Sequence, residues 1–278
     1  MARRVLLSAA IVLLALFSYD GVLRPLFAPL IQLPAIVEGV QRLTLLLTLF
    51  SLTHAALVLG WRHSLIFFAL SAVIAWGFEQ VGVETGAIYG RYHYTEVLGP
   101  KLGHVPFLIP LAWFMMIYPS YVIANLIADK RPAGSAGGVG RIAWLAFLSG
   151  MVMTAWDLVV DPILSGPNVQ AWVWEDGGPY FGIPVQNYVG WMLTTFTVYL
   201  VYRLYERRAP LRPIGPVTPA VAWLPLLAYG AMLLSNVLRG DGPEALIVIA
   251  PFVMGLPLVA AIERLVRNRL EIARQAGS

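Results

Sequence analysis

Eight stretches of the chain run almost without charge, near residues 5–19 (extending past Asp20), 43–60, 64–81, 106–127, 142–161, 187–205, 218–236 and 244–263. About 20 predominantly apolar residues make a helix long enough to cross a bilayer. The pattern therefore predicts an all-α integral membrane protein: a single bundle of about eight transmembrane helices with two long motif-bearing non-cytoplasmic loops. No domain boundary is visible, so residues 1–278 read as a single polytopic membrane domain. Composition agrees, with 59% hydrophobic and 12% charged residues and a mean hydropathy of +0.73, where soluble domains carry about a quarter charged. Arg3 and Arg4 ahead of the first apolar stretch resemble a signal peptide, but no small-x-small cleavage site follows, so the segment is expected to be retained.

Lysine and arginine then set the orientation. With a cytoplasmic N-terminus, 14 of the 19 basic residues fall at inner helix ends: Arg3, Arg4, Arg62, Lys130, Arg131, Arg141, Arg203, Arg207, Arg208, Arg212 and the four arginines from Arg264 to Arg274. Arg24, Arg42, Arg91, Lys101 and Arg239 remain outside. The expectation is a multi-pass protein of the cell membrane with both termini cytoplasmic. The segment from Tyr19 to Gln41, broken by Pro25, Pro29 and Pro34, is where an extra span would reverse it. The two long connections, roughly residues 82–105 and 162–186, are too aromatic for disorder and are predicted to fold back as a lid.

Several chemistries drop out. With no Cys, thiolate nucleophiles, disulfides, Fe–S clusters and Cys zinc sites are excluded. His54, His63, His93 and His104 form no i, i+3 or i+4 pair, which argues against a histidine-box oxygenase. Gly138-Val-Gly140-Arg-Ile-Ala143 matches a dinucleotide fingerprint only on paper, since it follows no strand and opens a membrane helix. The net charge of +4 calls for no nucleic acid, because inner-face arginines against anionic membrane lipids account for it.

What remains is concentrated in two runs, Trp76–Tyr94 and Trp156–Trp191. A charge at membrane depth is costly and normally marks function. Asp157 and Asp161, at i and i+4, share one helix face just before Pro162, which is expected to stop the helix; Glu79 closes the preceding motif helix, with Glu84 beyond it. Carboxyls held together in a low dielectric cannot all ionise, which makes an acid and base pair. Glu79, Asp157 and Asp161 are the catalytic candidates; Glu84, Glu96, Glu175 and Asp176 have easier access to water. The alternative is that these acids pin the loops by pairing with Arg91, Lys101 or backbone amides. Tyr89, Tyr92, Tyr94, Trp172, Trp174, Tyr180 and Trp191 form either an interfacial belt or a cavity whose ring faces stabilise a cation. Asn187 and Trp191, i and i+4 at a helix start, fit the same cavity, whereas His93 and His104 read as loop hydrogen-bonders.

The runs EQVGVETGAIYGRYHY (79–94), GHVPFLIPLAW (103–113), DLVVDP (157–162), WVW (172–174) and GPYFGIPVQNYVGW (178–191) are similar to the carotenoid biosynthesis membrane proteins that act as carotenoid 1,2-hydratases. The resemblance covers somewhat under half the chain. It implies water addition to the terminal C1–C2 double bond of an acyclic or monocyclic carotenoid, without a cofactor. The expected sequence is protonation of C2 by Asp157 or Asp161, a tertiary cation at C1 facing the rings, and attack by a water held by Glu79 or the other aspartate. Trp113 joins Glu84, Tyr89, Tyr92, Trp172, Trp174, Tyr180, Asn187 and Trp191 as substrate-binding candidates. Implied partners are a lycopene-type or bacterioruberin-precursor end group, membrane lipids and other carotenoid-pathway enzymes. Two rival readings are a non-catalytic carotenoid or polyprenyl-lipid binder, and a metal-dependent enzyme of lipid headgroups.

Overall fold

The computed structural model describes residues 2–135, 137–211 and 219–276. Arg212, one of the expected inner-face arginines, lies outside these residues, as do the side chains of Arg269 and Arg274. The chain is an all-α membrane protein. α1 (Ala2–Ser18) runs through a π-helical turn (Tyr19–Leu23) into α2 (Arg24–Phe27); then come α3 (Val40–Leu59), α4 (Trp61–Thr85), α5 (Leu108–Asp129), α6 (Val139–Leu164), α7 (Val185–Arg208) and α8 (Pro219–Leu238). α9 (Leu246–Ala250) continues through a second π turn (Pro251–Gly255) into α10 (Leu256–Ala276). Among the described residues 7 helical stretches are long and apolar enough to cross a membrane. α7 is as long as these but carries Asn187, Arg203 and Glu206, all buried inside the bundle.

The ambiguous segment after Tyr19 adds no span. Asp20, buried in the π turn, accepts backbone hydrogen bonds from Ile36 (3.1 Å) and Val37 (2.8 Å), so the chain folds back on the helix it has just left. Gly60, at φ 82°, turns α3 directly into α4, a conformation that a side chain disfavours. α5 is the most enclosed helix, packed on α3, α4, α6, α8 and α10.

Pro119 in α5, Pro162 in α6 and Pro225 in α8 lie inside their helices, and each frees the carbonyl four residues earlier. In an apolar medium such a carbonyl needs a substitute donor. Ser51 Oγ donates to Met115 O (2.8 Å) below Pro119, and His54 Nε2 lies 2.8 Å from Val221 O below Pro225. Tyr180 Oη donates to Leu158 O (2.8 Å) below Pro162. Pro162 therefore does not stop its helix as expected: α6 continues to Leu164, and Ser165 N still reaches Asp161 O at 2.8 Å.

One end of the bundle is closed by a short antiparallel ribbon that the helical pattern did not predict. β1 (Tyr92–Tyr94) pairs with β4 (Trp172–Trp174), with Tyr92 opposite Trp174 and Tyr94 opposite Trp172. β2 (Lys101–Leu102) and β3 (Val105–Pro106) form a second small hairpin. The opposite end is tied by Arg203, fully buried on α7, whose guanidinium donates to Asn125 (2.9 Å), Ser135 (3.2 Å) and Ser149 (2.8 Å). Arg203 is thus a knot between helices rather than one of the surface charges expected at an inner helix end.

Candidate active site

The ribbon explains how two distant loops build one site. In YHY and WVW the aromatic residues sit at i and i+2, so a strand puts both on one face. Tyr92 and Tyr94 are buried while His93 between them is exposed. Cross-strand ring contacts hold the pair, with Tyr92 and Trp174 centroids 5.0 Å apart and Tyr94 and Trp172 6.0 Å apart. The outer side is closed by the Arg91–Asp176 ion pair and a hydrogen-bond contact between His93 Nδ1 and Glu175 Oε1 (3.1 Å). The Arg91 guanidinium holds the Asp176 carboxyl below its usual range.

All four ribbon aromatics aim their polar atoms at buried carboxyls. Tyr92 Oη and Tyr94 Oη (2.9 Å) donate to Glu79 Oε2, and Trp113 Nε1 donates to Glu79 Oε1 (3.1 Å). Trp172 Nε1 (2.8 Å) and Trp174 Nε1 (3.2 Å) donate to Asp161 Oδ1. Asn187 Nδ2, from the first turn of α7, bridges Asp161 Oδ2 (2.7 Å) and Asp157 Oδ2 (3.0 Å). Burial first, and then the Glu79 charge, push the Tyr92 and Tyr94 hydroxyls well above the usual phenol range, so both remain donors. The alternative pairings expected from sequence are made by outer acids, Arg91 with Asp176 and Lys101 with Glu96, while Lys101 also donates to Tyr94 O; the hydrogen bonds of Glu79, Asp157 and Asp161 come from neither.

The three acids differ in what surrounds them. Glu79 and Asp161 each accept three hydrogen bonds, a coordination suited to a carboxylate. Asp157 accepts one, and among the described residues its buried Oδ1 has no partner. Trp156 Nε1, on the neighbouring residue, is likewise buried without one. With one donor against three, Asp157 has the least hydrogen-bond support for a negative charge of the three acids. Neither Asp157 nor Asp161 is more than 1% exposed.

Glu79, Asp157 and Asp161 line one cavity of about 60 Å³. Tyr89, Tyr92, Trp113, Trp172, Trp174, Asn187 and Trp191 line it too. Trp113 and Trp191 stack with centroids 4.1 Å apart, and Trp156 meets Trp191 edge-on. Two candidates stand elsewhere. Glu84 is exposed, since five residues past Glu79 turn it away from the bundle; Tyr180 is occupied at Leu158 O on the flank of α6. Tyr94, one of the aromatics weighed as belt or cavity, lines the cavity as well. Trp156 is a cavity residue that the candidates lacked, and no sequence signal separates it from a lipid-facing tryptophan.

Room at the site is made by glycine. The Tyr89 ring lies between α4 and α7, where an added Cβ would come within 2.6 Å of it at Gly82 and 2.5 Å at Gly190. Tyr89 Oη is 2.7 Å from Thr194 Oγ1. Among the described residues no group of three or more His, Asp or Glu is disposed to hold a metal ion. The O–H and N–H donors aimed at Glu79 and Asp161 would oppose a cation there.

A family model described as "Carotenoid biosynthesis protein" matches residues 40–260. A bisanhydrobacterioruberin hydratase from Haloarcula japonica is 34% identical over 134 residues, 48% of this chain and 42% of that protein. The match thus spans less than half of the relative's length. No solved structure matches the chain.

Proposed function

The chain belongs to the carotenoid biosynthesis protein family, and from that premise we propose that it is a carotenoid 1,2-hydratase. Asp157, whose Oδ1 is unpaired, is the general acid and delivers its proton to C2 of the terminal alkene. The π electrons form the new C2–H bond, leaving a tertiary cation at C1. Ring faces of Trp113, Trp191 and the ribbon aromatics, with the charge of Glu79, stabilise that cation. A water attacks C1, passes one proton to the Asp161 carboxylate and leaves the tertiary alcohol. The proton returns to Asp157 across the pair, whose two Oδ2 atoms share the Asn187 amide, and the cycle closes without oxidant or reductant.

The observation that carries this reading is the contrast within one cavity: two triply hydrogen-bonded carboxylates beside one acid with a free buried oxygen. A pigment-binding scaffold has no use for that contrast. We further propose that the chain is a single polytopic domain in the cell membrane with both termini cytoplasmic, supported by the arginines clustered at the end opposite the ribbon. The substrate would be a lycopene-type or bacterioruberin-precursor end group. Expression in a lycopene-producing host, with pigments analysed by mass, tests the function. One or two added waters per molecule are expected, and unchanged pigment bound to well-folded protein would establish a binder instead.

A further inference from the structure

The acid cavity is too small for a polyene. At about 10–15 Å³ per water-sized occupant, its 60 Å³ accommodates on the order of four non-hydrogen atoms, the size of an isopropylidene head and nothing beyond it. A second cavity of about 370 Å³ adjoins it, with an inner wall of Phe17, Leu43, Met115, Ile163 and Met232. The two share Val40, Thr44, Ala112, Trp156, Val160 and Leu164, so they are neighbouring compartments. By the same measure the larger one takes on the order of twenty-five non-hydrogen atoms. Its polar lining is Thr44 on the shared wall, Ser235 and Asn236 on α8, and the group where Asn168 Nδ2 donates to Asp241 O (3.0 Å) and Arg239 approaches Asp241 (3.7 Å).

We infer that this chamber between α1, α3, α5, α6 and α8 is the binding site for the conjugated chain next to the reacting end group. The end group passes the Thr44–Trp156 wall to reach Asp157. The inference rests on the hydratase reading and adds to it the seat of the chain, hence the residues that select long substrates over short ones. Continuity with the acid cavity, an apolar wall and the mismatch in size identify the occupant as the same molecule's polyene rather than a lipid headgroup.

The test uses the full chain with Leu43→Trp and, on a different helix, Met232→Trp, each filling the chamber away from the acids. Two quantities are read: polyene retained per protein after purification, by visible absorbance, and the ratio of kcat/KM for a long polyene to that for a ten-carbon terpene with the same isopropylidene end. Both should fall about tenfold or more, as contact with buried apolar surface is lost. Thermal unfolding checks that the variants are folded. Retention and ratio both unchanged in two folded variants would overturn the inference. Wild-type protein that hydrates neither substrate would refute the hydratase reading, while pigment retention would still decide whether the chamber holds the chain.

Discussion

Asp157 and Asp161 are one helical turn apart, yet the loops that fold over them make them chemically different. Asp161 is clasped by two tryptophan N–H groups and an amide, while Asp157 shares only the amide. Sequence made the pair visible through spacing; it gave no means to choose between them, because the choice depends on which ribbon side chains arrive. The same reasoning separates the remaining acids. Glu84→Gln, Glu175→Gln and Asp176→Asn act at exposed positions, and loss of a surface ion pair such as Arg91–Asp176 costs about 0–1 kcal/mol; turnover assays should find these variants close to wild type. Glu79→Gln keeps the shape but sets an NH₂ either against the Trp113 N–H at Oε1 or against the two tyrosine hydroxyls at Oε2. Leaving buried donors unpaired costs about 1–3 kcal/mol each, so this variant should melt earlier and lose most of its turnover. A Glu79→Gln protein with native melting and native rate would show that Glu79 is neither brace nor electrostatic partner.

Among the elements, the helices were largely legible because an apolar run of about 20 residues has few other uses. Their ends were less so: α4 extends to Thr85 and α6 to Leu164, beyond the expected limits. Pro162 misled because its consequence depends on a donor from elsewhere, Tyr180, which reaches the carbonyl the proline frees. The ribbon was hidden for another reason. Three-residue strands carry too little periodicity to stand out, and their pairing joins segments 80 residues apart in the chain. At this scale the close approach of α4 and α7 is the vulnerable point. Gly190→Ala would press its Cβ on the Tyr89 ring and on Ile88 O, 2.6 Å away. Backbone cannot swing aside as a ring can, so overpacking of about 1–3 kcal/mol is expected, read as a lower Tm and weaker hydration. Gly82→Ala presses only on the ring, with Tyr92 Oη at an ordinary contact distance of 3.5 Å, and should be milder; equal, negligible effects from both would mean that Tyr89 is not wedged there.

For the whole molecule, the class of protein was legible from composition and the family from the motif runs, because those runs are the residues that form the ribbon and the acid cavity. The basic residues that gave the orientation survive less cleanly, since Arg203 is buried in a polar knot. Reporter fusions after Ser278 and in the loop near Gly137 should both read cytoplasmic, and an external reading at either would place the ribbon on the other side of the membrane. The central claim is that Asp157 supplies the proton that starts hydration. It is tested most directly by measuring water addition to a lycopene-type polyene by purified wild-type and Asp157→Asn protein under identical conditions. Asparagine keeps the size and the Asn187 contact but has no acid proton, and removing a general acid typically costs about 10²- to 10⁴-fold. The account predicts a loss in that range with the protein still folded; hydration by folded Asp157→Asn protein at close to the wild-type rate would contradict it.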